Sequence, residues 1–184
     1  EQPKALGDTL RPKLDKQGKL SLPADIESLI KDASHLLITG CGTAYHAAMV
    51  ASYVIEQVAA IPVEVVIASE LRYKRHIRKE GEICILISQS GETADTIAAL
   101  RMLKNLGIPT LAVTNVVGCT LSREADKVLY TNAGPEIAVA STKAFTTQLL
   151  SLFSLATLLA KAEQSALLEA LQQLPSQAQR LLDR

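Results

Sequence analysis

The stretch ICILISQSGET, residues 83–93, decides the fold of this chain. Its first five residues are apolar without alternation, which is typical of a strand buried on both faces of a parallel sheet. A polar turn with one glycine follows, and Ile97, Leu100, Leu103 and Leu106 then recur at helical spacing. A buried strand that leads through such a turn into a helix is the repeating unit of α/β proteins.

The same unit occurs around this stretch. The apolar runs Leu36–Thr39 and Thr110–Val113 each lead through a turn into a helical pattern, and Pro62–Ala68 and Val128–Tyr130 have the character of two further strands. Strands that alternate with helices form a parallel sheet through right-handed crossovers. The sequence therefore predicts an α/β fold with five parallel strands.

The length of 184 residues suits one compact domain with flanking helices. We predict an N-terminal helical extension over residues 1–34, a ligand-binding domain over 35–161 and a C-terminal helical segment over 162–184, in which Pro175 either kinks the helix or ends it and starts another. The sequence starts without methionine, so we expect it to be part of a longer chain.

The helix predicted after Ser141 is apolar almost all round beyond Thr147. Such a helix must be covered on more than one side, either by this domain or by a partner. This requirement leads us to expect self-association.

Composition excludes several classes of protein. Nineteen basic and nineteen acidic residues cancel, so no net field draws the chain to nucleic acid or to a membrane surface. The longest uncharged apolar stretch, Leu149–Ala160, is too short to span a bilayer. Cys41, Cys84 and Cys119 form no CxxC pair, which argues against disulfides and zinc and favours a reducing, cytoplasmic setting.

A basic cluster follows the second predicted strand. Because acidic residues surround it and Tyr73 is its only aromatic residue, we predict a solvated or partner-facing surface and not a nucleic-acid site. Its members are Arg72, Lys74, Arg75, His76, Arg78 and Lys79.

The turn Ser88–Thr93 carries the strongest functional signal. It lies where a parallel strand ends and a helix begins, and a helix N-terminus offers unpaired N–H groups to an anion. Three hydroxyls and the Gln89 amide gather around Gly91, which lets the backbone approach a ligand closely. The alternative is that these residues only cap the helix.

The turn Gly40–Thr43 after the first strand has two interpretations. Its glycines begin a dinucleotide fingerprint, but Tyr45 stands at the third glycine position and prevents the close helix packing that the fingerprint needs. Cys41 is a candidate nucleophile, yet no histidine is clearly placed to activate it.

A third loop, Gly134–Lys143, reaches the same sheet edge, and Ser141 or Thr142 is predicted to cap the following helix.

Together these motifs resemble the sugar isomerase (SIS) domain family and, within it, the isomerase part of the glucosamine-6-phosphate synthases. The resemblance is carried by GCGT at 40–43, ASELRY at 68–73, SQSGETADT at 88–96 and VASTKAFTTQ at 139–148. It implies a three-layer αβα sandwich of flavodoxin-like topology. It also implies a homodimeric enzyme that makes glucosamine 6-phosphate from fructose 6-phosphate and glutamine, with a glutaminase domain and two SIS halves, of which this chain resembles the first.

The resemblance also assigns roles to residues. It implies phosphate ligands at four positions of the turn Ser88–Thr93, with Thr43 close by, and sugar contacts from two other loops. The predicted phosphate ligands are Ser88, Gln89, Ser90 and Thr93, and the predicted sugar contacts are Cys41, Gly42, the Val139 backbone and Ser141.

Two features limit this assignment. Ala44 stands where the family commonly has serine, which puts a hydroxyl contact there in doubt. The acid–base residues of the family lie in the second half, so we expect no catalytic residue, cofactor or metal in this chain. A stand-alone phosphosugar isomerase and a sugar-phosphate-sensing regulatory domain remain as alternatives.

Overall fold

Five parallel strands form the centre of the computed structural model, which describes residues 1–137 and 141–183. The strands follow the order β2-β1-β3-β4-β5, the flavodoxin-like arrangement of doubly wound folds. The predicted fold class is therefore confirmed. The strands are β1 (His35–Gly40), β2 (Val63–Ile67), β3 (Glu82–Ser88), β4 (Thr110–Thr114) and β5 (Lys127–Tyr130).

β3 is the central strand and is buried on both faces, as its unbroken apolar run predicts. It pairs in parallel with β1 on one side and with β4 on the other. Ile83, Ile85 and Ile87 pack on one face of the sheet, whereas Cys84 and Leu86 pack on the opposite face. Each fully buried aliphatic side chain of this kind contributes about 1.5–3 kcal/mol to stability.

Helices cover both faces of the sheet and complete the three layers. One core cluster joins the sheet to α2 (Ala24–Lys31), α3 (Thr43–Ala59) and α7 (Lys143–Leu159). The other joins it to α4 (Ala68–Leu71), α5 (Ala94–Asn105) and α6 (Thr120–Glu124).

Two terminal helices lie outside this sandwich. α1 (Gln2–Leu10) and α8 (Gln164–Leu182) pack on α7 through a separate cluster of leucines. α7 is thus covered by the sheet, α3, α1 and α8, so this chain itself meets the requirement for cover on several sides. The apolar character of α7 therefore no longer supports self-association, which stays a prediction.

Two local details of the helices stand out. α8 continues through Pro175, so of the two effects expected of this proline the end of the helix does not occur. Leu106, the last residue of the apolar helical pattern that begins at Ile97, is exposed. Of the helices within residues 1–137 and 141–183, none is long and apolar enough to cross a membrane.

Four of the six residues of the basic cluster face acidic partners, and one of these four is buried. Lys74 and Lys79 both donate to Glu64, and these bonds lower the pKa of that carboxyl to about 2. His76 was predicted at the surface, but its Nε2 lies 3.0 Å from both carboxylate oxygens of Glu82 and both side chains are buried. The spacing of the basic residues could not predict this contact, because its partner, Glu82, lies outside the cluster as the first residue of β3.

Candidate functional site

A cleft of about 180 Å³ opens at the carboxyl edge of the sheet, beside the neighbouring strands β1 and β3. Strand order reverses between these two strands, and doubly wound folds bind ligands at such a switch point. The described residues that line the cleft are Cys41, Thr43, Ala44, Ile87, Ser88, Gln89, Ser90, Thr93, Glu136, Ser141 and Gln148.

The hydroxyls of the turn after β3 organise the turn itself. The Ser88 Oγ accepts a hydrogen bond from the Gly91 amide and lies 3.0 Å from the Thr93 hydroxyl, while the Ser90 Oγ accepts from the Glu92 amide. Thr93 is the N-cap residue of α5, but its side chain makes no capping bond. The capping alternative therefore does not account for these hydroxyls.

Neighbouring elements fix the position of this turn. The Gln89 carbonyl accepts from the Asn115 amide just after β4, at 3.2 Å. The Glu92 carboxylate accepts from the Thr120 amide at 2.7 Å, and this bond lowers the pKa of Glu92. Glu92 thus ties the turn after β3 to the start of α6.

The turn after β1 depends on two glycines. A β-carbon at Gly40 would lie 2.8 Å from the Ile87 carbonyl oxygen, so only glycine allows β1 to approach β3 this closely. Gly42 has a φ of +57° and immediately precedes α3. Gly42 is exposed and does not line the cleft, whereas Cys41 and Thr43 on either side of it do.

The start of α7 is capped by a residue that sequence analysis missed. Thr142 occupies the N-cap position, but neither it nor Ser141 caps the helix as predicted. Instead the Glu136 carboxylate accepts from the Thr142 amide at 3.3 Å and from the Ala144 amide at 2.9 Å. The Ser141 Oγ is buried and has no partner among the described residues.

Gln148 is the second residue that was missed. It lies on the second turn of α7, is only 2% exposed and lines the cleft, and its Oε1 has no described partner. One signal was available, since Gln148 is a polar residue at the start of an otherwise apolar helical stretch. Periodicity alone did not show which neighbour that face meets.

The positive potential of the cleft comes from the backbone, and the Glu136 carboxylate in its lining accepts from the amides at the start of α7. Thr43 begins α3, Thr93 is the N-cap residue of α5 and Ser141 directly precedes the N-cap of α7, and all three line the cleft. Three helix N-termini, each with a partial positive charge, therefore adjoin one space. No lysine or arginine of the described residues lines the cleft. Lys143, at the start of α7, pairs instead with Glu1.

Titratable groups are scarce at the cleft. Within the described lining only Cys41 and Glu136 carry one, and Glu136 is engaged as a helix cap. The arrangement can therefore hold an anion with hydroxyls and amides, but it offers no free general base.

Most of the predicted site residues meet at this cleft. Gly42 lies beside it, and Val139 lies outside the described residues. The predicted residues in the lining are Cys41, Thr43, Ser88, Gln89, Ser90, Thr93 and Ser141.

Comparison with known families identifies the domain. The family model described as the SIS domain matches residues 29–158. The chain belongs to the SIS domain family. This match spans the whole sheet and all three cleft-forming turns, so the resemblance drawn from the motifs is confirmed.

This SIS domain is similar to part of several aminotransferases. It is 50% identical over 196 residues to the glutamine–fructose-6-phosphate aminotransferase (isomerizing) of Caldanaerobacter subterraneus, covering 100% of this chain and 32% of that one. The corresponding protein of Clostridium tetani is 49% identical with the same coverage. The chain thus spans about a third of the length of these curated relatives and matches their isomerase region.

Solved structures show the same similarity. The C-terminal domain of glucosamine-fructose-6-phosphate aminotransferase from Francisella tularensis has a TM-score of 0.89 at 39% identity, covering 96% of this chain and 51% of that one. A putative phosphosugar isomerase from Silicibacter pomeroyi has a TM-score of 0.80 at 27% identity and similar coverage, 96% and 52%. In both cases the SIS domain described here corresponds to about half of the other chain.

Proposed function

We propose that this SIS domain is the sugar-phosphate-binding half of the isomerase region of a glutamine–fructose-6-phosphate aminotransferase (isomerizing). Its ligand is fructose 6-phosphate or the product, glucosamine 6-phosphate, held mainly by the phosphate. The observation that carries the proposal is the convergence of three helix N-termini and several hydroxyls on one cleft that no described cationic side chain lines. A phosphate monoester is the kind of anion that such a backbone-built site accepts.

The proposal divides the cleft between the two parts of the ligand. The turn after β3 supplies the phosphate ligands Ser88, Gln89, Ser90 and Thr93, with Thr43 at the start of α3 close by. The sugar lies toward Cys41, Gly42 and Ser141 and toward the backbone of Val139. Ala44 adds no hydroxyl, so the α3 side of the cleft offers Thr43 alone.

The same proposal assigns the chemistry to other parts of the enzyme. Ring opening, imine formation and proton transfer need a general acid and base, and the described lining offers none that is free. We therefore assign catalysis to a second SIS half and ammonia supply to a glutaminase domain, within a cytoplasmic homodimer. The isolated chain binds its ligand without turnover.

Titration of the ¹⁵N-labelled chain with glucosamine 6-phosphate, followed by NMR, tests this proposal. We expect saturable shifts at residues 88–93, and glucosamine without phosphate should not produce them. The double variant Ser90→Ala/Thr93→Ala should bind at least about tenfold more weakly, since each hydroxyl bond to a charged group contributes about 1.5–3 kcal/mol. Ser176→Ala, which removes an exposed hydroxyl on α8, is the matched control.

Unchanged affinity in the double variant would refute the phosphate assignment. A separate incubation with fructose 6-phosphate should yield no glucose 6-phosphate. Aldose–ketose conversion by the purified chain would instead support the stand-alone isomerase.

A further inference from the structure

Gln148 lines the cleft with a buried side chain whose carboxamide oxygen has no hydrogen-bond partner among the described residues. Its residue is 2% exposed, it lines the cleft, and its Oε1 bonds to no described residue. The neighbouring hydroxyl of Thr147 differs, because it donates to the Ala144 carbonyl one turn back. A polar side chain on this turn of α7 can therefore find a partner within the protein, as Thr147 does.

An unpartnered buried amide destabilises the fold. The amide loses its hydrogen bonds to water when it is buried, and no bond within the described protein replaces them. An apolar side chain of similar volume at position 148 would avoid this cost, and the core cluster that α7 joins consists of apolar side chains. A polar group that weakens the fold yet faces a ligand cleft points to a partner supplied by the ligand.

The chemistry of the amide limits what that partner is. The dianion of a phosphate monoester has only acceptor oxygens, so it cannot satisfy a carboxamide oxygen. A hydroxyl both donates and accepts, and it can pair with either end of the amide. The turn Ser88–Thr93 after β3, called the phosphate turn below, already carries hydroxyls and amide N–H groups that can donate to a phosphate.

We propose that the Gln148 carboxamide hydrogen bonds a hydroxyl on the carbon chain of the bound sugar phosphate, and thereby selects the sugar and not the phosphate. This inference rests on the proposed function, because it assumes that a sugar phosphate occupies the cleft. Ser141, whose buried Oγ is also unpartnered among the described residues, lines the same cleft. The hydroxyl-bearing end of the ligand thus meets polar groups near the start of α7.

The experiment compares two ligands on one variant. In Gln148→Met an unbranched apolar side chain of similar size replaces the amide. Affinity for glucosamine 6-phosphate, measured by NMR titration, should fall about five- to thirtyfold, because the sugar hydroxyl loses its partner in a buried site. Affinity for methyl phosphate, whose dianion has no hydroxyl, should stay within about twofold at pH 8.

The stability of the same variant should change in the opposite direction. Removal of an unpartnered buried amide should raise the Tm of the unliganded chain, by about 2–4 °C for a chain of this size. A residue that only supports the fold would give a lower Tm and a uniform loss of binding. Should Gln148→Met not fold, Gln148→Leu serves for the same measurements.

Ser151→Ala is the matched control. Ser151 lies one turn further along α7, is fully buried, and its Oγ also has no described partner, but it does not line the cleft. This variant should retain wild-type affinity for both ligands. A weaker affinity in Gln148→Met can then be attributed to the lost ligand contact and not to altered packing of α7.

Each result is decisive. If glucosamine 6-phosphate binds Gln148→Met as tightly as the wild type, the inference fails while the proposed function stands. If both ligands weaken equally, Gln148 supports the phosphate turn and the inference is also wrong. If the wild-type chain binds neither ligand, the proposed function fails first.

Discussion

Gly91 packs directly against Cys119, so that a β-carbon at position 91 would lie 2.8 Å from the Cβ of Cys119 and would overlap its sulfur. The φ of Gly91 is +66°, a conformation that side chains disfavour. The Gly91 carbonyl also accepts from the Leu121 amide at 3.0 Å. The turn after β3, which is proposed to bind the phosphate, therefore packs tightly against the start of α6. Its conformation depends on glycine at position 91.

Gly91→Ala should lower the free energy of unfolding by about 2–4 kcal/mol, measured by urea titration. Strain at positive φ accounts for about 1–2 kcal/mol of this loss and overlap with Cys119 for the remainder. Gly118→Ala is the control, because Gly118 has a φ of +73° but open space around it. Equal losses in the two variants would contradict the role assigned to Cys119.

The fold was predictable because its main determinant is local. The run from Ile83 to Ile87 is buried on both faces, and such a run followed by a glycine turn and a helix allows few arrangements other than a parallel sheet. The position of the turn after β3 follows from the same rule, since the carboxyl ends of parallel strands meet at one edge.

The rest of the cleft depends on tertiary contacts that spacing does not encode. Glu136 caps α7 from six residues before the N-cap, and nothing in the sequence gives the path of the loop between them. Gln148 belongs to a helix that is buried on several sides, so its apolar pattern does not show which face meets the cleft. His76 is buried where its ring contacts the Glu82 carboxylate, and the spacing of the basic cluster does not indicate this contact.

The cap made by Glu136 leads to a second prediction. Glu136→Ala should destabilise the chain by about 1 kcal/mol, because the Thr142 and Ala144 amides lose their acceptor. Hydrogen exchange at these two amides should accelerate, and urea titration gives the loss of stability. Glu163→Ala is the control, since Glu163 is the N-cap residue of α8 but its side chain makes no capping bond. Unchanged exchange at Ala144 would argue against the cap.

Lys13 predicts a specific pH dependence. It is 2% exposed and donates to the carbonyls of Thr9 and Tyr130, and burial lowers its pKa to about 8. Between pH 8 and about 10.4, its ordinary pKa, the unfolded chain binds more protons than the folded chain, so stability from this group rises with pH. Below pH 8 both states are protonated and its contribution is constant.

Comparison with Lys13→Met isolates this effect. From pH 8 to 10.5 the free energy of unfolding of the wild type should rise relative to that of the variant by roughly 3 kcal/mol. Urea titrations at fixed ionic strength measure the difference. Lys16→Met, at an exposed position, should run parallel to the wild type. If the free energy of unfolding of Lys13→Met also changes with pH in parallel with that of the wild type, Lys13 has the same pKa in the folded and the unfolded chain.

Cys41 allows the cleft to be probed chemically. It is partly exposed and lines the cleft, whereas Cys84 and Cys119 are buried and burial raises the pKa of the Cys84 thiol. Because the thiolate is the reactive form and must be reached by the reagent, iodoacetamide should modify Cys41 alone in the folded chain. Peptide mass spectrometry identifies the modified residue, and Cys41→Ser should remain unmodified.

Ligand protection at Cys41 then tests where the sugar phosphate lies. Saturating glucosamine 6-phosphate should slow the modification of Cys41 by at least about tenfold, because the occupied fraction of the cleft excludes the reagent. Glucosamine at the same concentration should give no protection, since it lacks the phosphate that the turn after β3 is proposed to hold. If glucosamine 6-phosphate saturates the shifts at residues 88–93 and leaves the rate at Cys41 unchanged, the ligand binds the turn but does not extend toward α3. The assignment of Cys41 as a sugar contact would then be wrong.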